Sequence, residues 1–166
     1  MKPRLLPVTA LFTLVLSACR ATDQASTLPV EKPFAIGAVQ LENMMQEKQT
    51  FILIWHRPTC RYCSLSLPIF EALAAERWAQ DTSPLLFTVD TAEVREEIDE
   101  WFQILLPAIA ETDISYINKK LYVPQISSFK EGQPVFSKTG LPKEKRGAEK
   151  LLTQLLAGLE NDSNIG

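Results

Sequence analysis

Residues 51–63 read Phe51-Ile52-Leu53-Ile54-Trp55-His56-Arg57-Pro58-Thr59-Cys60-Arg61-Tyr62-Cys63. The run Phe51–Trp55 is short, apolar and flanked by polar residues, which predicts a buried strand. From Cys63 onward, Phe70, Leu73 and Ala74 recur at helical spacing and predict a helix to about Ala79. Cys60 then sits where that helix begins. Unpaired backbone N–H groups and the positive end of the helix dipole favour an anion there, so a sulfur at this place is stabilised as thiolate. Two thiols separated by two residues can close a disulfide and reopen it with little backbone movement. Cys60 is therefore the expected attacking sulfur, and Cys63 the sulfur that resolves the mixed disulfide.

The chain has 166 residues, enough for one domain with a core of its own. Its start reads differently. Lys2 and Arg4 precede an apolar run from Leu5 to Leu16 that is short for a bilayer span, the pattern of a signal peptide. Leu16-Ser17-Ala18-Cys19 follows and resembles the bacterial lipobox, which implies a lipidated Cys19 as the mature N-terminus. An ordinary secretory signal with an incidental cysteine is the plainer alternative. Of the three cysteines, a lipidated Cys19 leaves the Cys60/Cys63 pair, in a compartment where disulfides persist. Arg20 after the cysteine favours the outer membrane in a two-membrane cell. Loss of residues 1–18 leaves 15 Lys and Arg against 20 Asp and Glu, a net charge of −5. No basic patch points to nucleic acid.

The predicted organisation is a signal over 1–18, a polar tether over 19–33, one domain over 34–160 and a tail over 161–166. Ala38, Leu41, Met44 and Met45 mark a short amphipathic helix, and the two methionines read as core rather than metal contacts. Pro68 lies inside the helix after the cysteines and should kink it. Pro84 to Val89 reads as a second buried strand. Asp90 and Glu93 form a capping-box pattern ahead of Val94, Ile98, Trp101, Phe102 and Leu105, which share one helical face. Pro107 bends or ends that helix, and a weaker helical turn covers 113–120. Ile126–Phe129 and Pro134–Ser137, separated by Lys130-Glu131-Gly132-Gln133, predict a hairpin with Gly at the turn. Glu144–Leu159 is the last helix.

This order, with its details, resembles the thioredoxin superfamily over about residues 36–160. Pro68, five residues after Cys63, matches the proline of the redox helix. Pro124, in Tyr122-Val123-Pro124-Gln125, matches the cis-proline that faces the cysteines. Phe129-Lys130-Glu131-Gly132 matches the hairpin turn, and Gly140, eight residues later, the glycine before the last helix. The resemblance implies an α/β fold with a central mixed sheet flanked by helices, and an extra helix inserted before the cis-proline. It implies Cys60 and Cys63 as the catalytic pair, with Val123 and Pro124 meeting the substrate. Tyr62, between the two cysteines, is expected to offer the partner chain an aromatic contact. Arg57-Pro58-Thr59-Cys60 is also similar to the exported bacteriocin transport accessory proteins. Three departures bear on mechanism. Ile54 stands where reducing thioredoxins bury a carboxylate, Leu86 matches its lysine partner, and Thr59 replaces a tryptophan.

Arg61 and His56 are candidates for tuning the Cys60 thiolate. Arg61 as a merely solvated cation and His56 as a satisfied polar residue at a strand end are the plainer alternatives. Structural zinc takes four ligands, and His56 is the only histidine, so neither metal nor cofactor is expected. The copper-delivery members of the superfamily use a wider cysteine spacing and a downstream histidine, both lacking here. A purely structural staple across so short a loop gains little chain entropy. The function expected is an extracytoplasmic thiol–disulfide oxidoreductase acting on exported cysteine-containing proteins and recharged by a membrane redox partner. A non-catalytic anchored module and metal handling are the rival readings. The direction stays open between oxidase and reductase, with a couple less reducing than thioredoxin expected.

Overall fold

The computed structural model describes residues 34–78 and 85–161. The signal, Cys19, the tether over 19–33, the start of the second strand at Pro84 and the tail beyond 161 lie outside the described residues. The elements run α1 (Ala38–Gln46), β1 (Phe51–His56), α2 (Arg61–Trp78), β2 (Leu86–Asp90), α3 (Ile98–Leu105), α4 (Ile114–Ile117), β3 (Gln125–Lys130), β4 (Gln133–Thr139) and α5 (Lys145–Asn161). The four strands form one sheet in the order β2-β1-β3-β4. β1 is parallel to β2 and antiparallel to β3, and β3 is antiparallel to β4. The sheet is mixed, and helices cover both of its faces.

β1 is central and buried on both faces, which is why its sequence is a continuous apolar run rather than an alternating one. Ile52 and Ile54 join Leu86, Ile126, Phe70 of α2 and Leu152 and Leu156 of α5 in one apolar cluster. Phe51, Leu53 and Trp55 join Leu41 and Met44 of α1 and Trp101, Phe102 and Leu105 of α3 in another. Phe51 stacks on Phe129 with ring centroids 4.5 Å apart, and Trp55 meets Trp101 at 5.7 Å. Burial at this scale contributes roughly 1.5–3 kcal/mol per large apolar side chain, so the sheet is pinned from both sides where it leads into the cysteines.

α2 runs through Pro68 to Trp78, so the proline lies inside the helix as expected, on its exposed side. One local expectation is corrected. The capping box at Asp90 and Glu93 does not start a helix: α3 begins only at Ile98. The Asp90 carboxylate accepts the Ala92 N–H at 2.8 Å, and the Glu93 N–H returns to the Asp90 carbonyl at 3.0 Å. Thr91 donates its N–H and its hydroxyl to the His56 carbonyl at 2.8 and 3.0 Å. These bonds tie residues 90–93 to the end of β1 as turns, and the helix can begin only once the chain has left it.

The hairpin turns at Glu131 and Gly132, both at positive φ (49° and 75°). A Cβ at Gly132 would also collide with the Met45 carbonyl, so glycine is required twice over, by conformation and by the close approach of the end of α1. The α3–α4 segment is the predicted insertion ahead of the proline loop.

Candidate active site

Cys60 is the N-cap of α2. Its carbonyl accepts the Ser64 N–H at 3.1 Å, and its N–H is held by the Arg57 carbonyl at 3.0 Å. Its sulfur accepts the Cys63 backbone N–H at 3.1 Å, the bond a capping serine or aspartate oxygen would take. The helix start that the sequence implied is thus aimed at the Cys60 sulfur. Cys60 is half-buried and both cysteines are free thiols. Cys63 lies one turn along, 2 % exposed. Burial, reinforced by the hydrogen bond and charge of Cys60, pushes the Cys63 thiol up to about 12, with backbone N–H groups opposing the shift. One sulfur is reachable and capped; the other is kept protonated beneath it.

The Val123–Pro124 peptide is cis. The Cys60 thiol donates to the Val123 carbonyl at 3.6 Å, so the predicted loop and the predicted nucleophile do meet. Pro124 is buried, and its carbonyl accepts the Gly140 N–H at 2.7 Å. Gly140 has φ +88°, which only glycine adopts without cost, and this lets the chain leave β4 directly beneath the loop. Tyr62 is 58 % exposed beside the cysteines, with the Lys143 ammonium 4.4 Å above its ring. Arg61 is exposed on the first turn of α2, and its carbonyl accepts the Ser64 hydroxyl at 2.8 Å. His56 is half-buried at the end of β1, opposite Asp90 of β2. Ile54 and Leu86 are both buried in the same apolar cluster. In register Leu86 lies opposite Ile52, and Ile54 opposite Thr88. Among the described residues, no three His, Cys, Asp or Glu side chains converge as a metal set.

This arrangement of a mixed sheet with helices on both faces is also found in solved structures. The first thioredoxin domain of mouse protein disulfide-isomerase A4 superposes with a TM-score of 0.52 at 16% identity, over 80% of this chain and 79% of that one. The chain has the thioredoxin fold. A provisionally assigned oxidoreductase with a thioredoxin fold superposes at 0.50, with 15% identity, over 70% of this chain and 90% of the other. No protein-family model matches the sequence. No curated protein matches it either.

On this thioredoxin fold the structure adds residues that the sequence reading did not single out. Lys143 over Tyr62 is one. The others are Asp113, Ser115, Gln125 and Thr139, which hydrogen-bond to one another around the proline loop. Burial alone would raise the Asp113 carboxyl. The Thr139 hydroxyl and N–H, the Ser115 N–H and the charge of Lys138 outweigh it and hold the group below its ordinary range. The signal available in the sequence was Asp113-Ile114-Ser115 ahead of a helical turn, an N-cap pattern: the Asp113 carboxylate does accept the Ser115 N–H at 2.8 Å. Its partner Thr139 is 26 residues away and carried no such mark.

Proposed function

We propose that this protein is a thiol–disulfide oxidoreductase that exchanges disulfides with exported cysteine-containing proteins. In this reading it is held on the outer face of a membrane by lipid on Cys19. The observation that carries the redox reading is the Cys60 sulfur. It is half-exposed, accepts the Cys63 N–H at 3.1 Å and lies 3.6 Å from the Val123 carbonyl, with Cys63 buried one turn behind. The sequence Leu16-Ser17-Ala18-Cys19 supports the anchor.

In the reducing direction, the Cys60 thiol loses its proton to solvent. The thiolate attacks one sulfur of a partner disulfide, forming a Cys60–partner bond and releasing the other partner sulfur as thiolate. Cys63 then gives up its proton and attacks Cys60. The Cys60–Cys63 bond forms, the mixed disulfide breaks, and the second partner thiolate leaves. The partner gains two electrons and two protons, and the pair is oxidised by two electrons. In the oxidising direction every bond change reverses. Val123 and Pro124 line the approach, and Tyr62 offers an aromatic surface to the partner chain. Arg61, exposed on the first turn of α2, and His56, at the end of β1, are the groups assigned to tuning the pair. A membrane dithiol/disulfide partner resets the pair.

Stabilising the reduced form raises the potential by roughly 30 mV per 1.4 kcal/mol. The couple is accordingly less reducing than thioredoxin, since the first turn of α2 is aimed at the Cys60 sulfur while Ile54 and Leu86 provide no buried acceptor for the second proton. The deciding experiment uses two variants. Cys60→Ser should abolish exchange with a disulfide-bonded protein. Cys63→Ser should accumulate mixed disulfides on Cys60, visible as mass-shifted species that reductant removes. Exchange persisting in Cys60→Ser, or trapping on Cys63 in place of Cys60, would overturn the assignment.

A further inference from the structure

The loop that faces Cys60 is held at both ends by one buried hydroxyl. Ser115 of α4 is fully buried. Its oxygen accepts the Tyr122 N–H at 3.1 Å, just before Val123–Pro124. Its hydroxyl reaches the Gln125 Oε1 at 2.9 Å, just after. The same oxygen lies 2.7 Å from the Thr139 hydroxyl.

A carboxylate at the end of this row sets its polarity. Asp113 is ionised and can only accept. It takes the Thr139 hydroxyl at 2.6 Å, the Thr139 N–H at 2.8 Å and the Ser115 N–H at 2.8 Å. Thr139 has then spent its one proton, so its oxygen is an acceptor toward Ser115. The Ser115 proton has acceptors on both sides, in Thr139 and Gln125, and its oxygen is left to receive Tyr122. Bonds aligned in this way polarise one another, and in a buried setting a broken member leaves its neighbours unsatisfied.

The network also reaches the other wall of the site. Gln125 donates from Nε2 to the Ser137 hydroxyl at 2.6 Å, Ser137 meets Ser127 at 2.7 Å, and the Trp55 indole N–H donates to Ser127 at 3.2 Å. Trp55 belongs to β1, the strand that delivers Cys60. The strand behind the nucleophile and the loop in front of it are thus joined by one buried polar row.

We propose that Ser115, oriented by Thr139 and Asp113, is a positioning residue for disulfide exchange: it fixes the distance between the Val123 carbonyl and the Cys60 sulfur. This rests on the oxidoreductase reading above and assigns a role to the segment between β2 and β3 that supplies Asp113 and Ser115. Ser115 touches neither substrate nor sulfur. It acts through the loop, so its loss should change exchange with a bulky partner far more than the reactivity of the thiol itself, whose tie to the loop is the long 3.6 Å bond to the Val123 carbonyl.

The test compares two reactions of the reduced full-length protein. One is exchange with a synthetic disulfide-bonded peptide; the other is alkylation of Cys60 by iodoacetamide, which needs no loop. Ser115→Ala and Thr139→Val should each slow exchange about tenfold, the scale of a displacement below an ångström at a reacting centre. Alkylation should stay within about twofold, on the same principle. Thr139→Ser, which keeps the hydroxyl, should restore exchange. Hydrogen exchange on the unmodified protein covers the case of a variant that does not fold: the Tyr122 amide should be strongly protected. Unchanged exchange in a folded Ser115→Ala, exchange and alkylation falling together, or an unprotected Tyr122 amide would each overturn the proposal. An unmodified protein whose Cys60 alkylates but ignores the peptide would overturn the oxidoreductase reading, and the positioning role with it.

Discussion

The two faces of the sheet exclude water by different chemistry. Toward α2 and α5 the buried side chains of β1 and β3 are Ile52, Ile54 and Ile126, with Ser128 the one polar member, and the isoleucines pack with Phe70, Leu86 and Leu152. Toward α1, α3 and α4 the layer is aromatic at one end, with Phe51 on Phe129, and polar at the other. There Gln125, Ser127 and Ser137 are all buried within hydrogen-bond reach of one another. The alternation of β3 makes this possible: Ile126 points to one face, Gln125 and Ser127 to the other. Titrations are displaced in opposite senses. Cys63, on α2, is pushed up to about 12 chiefly by burial. Asp113, at the end of the polar row, is lowered because hydrogen bonds outweigh its burial. An apolar layer keeps a proton on its acid, whereas a layer of donors removes it.

The largest effect expected from breaking this contrast comes from Ile54→Asp. A carboxyl at this fully buried site, with Thr88 as the polar residue opposite it and an apolar cluster around it, has no cationic partner there, and an uncompensated buried charge costs about 3–5 kcal/mol. Its folded pKa would be raised, so the loss should be small below the unfolded carboxylate range near pH 4 and grow as pH rises. Urea denaturation at pH 4 and pH 7 measures it. A variant as stable as the parent at pH 7 would mean that this layer is not dry.

Asp113→Ala sharpens the other side. Hydrogen bonds to a charged group contribute about 1.5–3 kcal/mol, and three of them end on Asp113. With the carboxylate half-exposed, the lower end, about 1.5 kcal/mol, is the expected loss at neutral pH. Because the folded group is lowered, its contribution is present above its unfolded value and disappears as pH falls through the folded one. The parent and the variant should therefore converge in stability on acidification. A gap that persists at acid pH would assign the effect to packing instead.

At neutral pH the smallest effect belongs to Cys63, whose contribution is lost only on the alkaline side. A group raised in the folded state contributes stability that is intact below its unfolded value and lost as pH climbs through the folded one. The reduced protein should lose stability progressively from about pH 9 toward about 12. The oxidised form, which has no thiol to ionise at either position, should show no such loss from this source. Denaturation midpoints of the two forms across that range give the comparison.

Much of this was legible from residue order. The run Phe51–Trp55 reads as a buried strand because a strand buried on both faces needs no alternation, and the sheet places it at the centre. The hairpin was marked by Gly132, which its backbone and the neighbouring Met45 carbonyl both require. The cysteine pair at a helix start was legible for the same local reason: spacing along a helix is a property of consecutive residues. The start of α3 was misread because its capping pattern is local, while the competing bonds from Thr91 to the His56 carbonyl come from a strand 35 residues earlier.

By itself, the sequence determined most of the elements, the pair Cys60 and Cys63 and the apolar residues at Ile54 and Leu86, since each depends on neighbours in the chain or on a periodicity within one element. The proline facing the sulfurs was implied by the resemblance to the thioredoxin superfamily. Only the tertiary structure decided that the Val123 carbonyl lies 3.6 Å from Cys60, that Lys143 covers Tyr62, and that Asp113, Ser115, Gln125 and Thr139 form one row. Those contacts join segments distant in sequence, and a hydrogen bond is set by positions within a few tenths of an ångström, which no composition or spacing along a chain specifies.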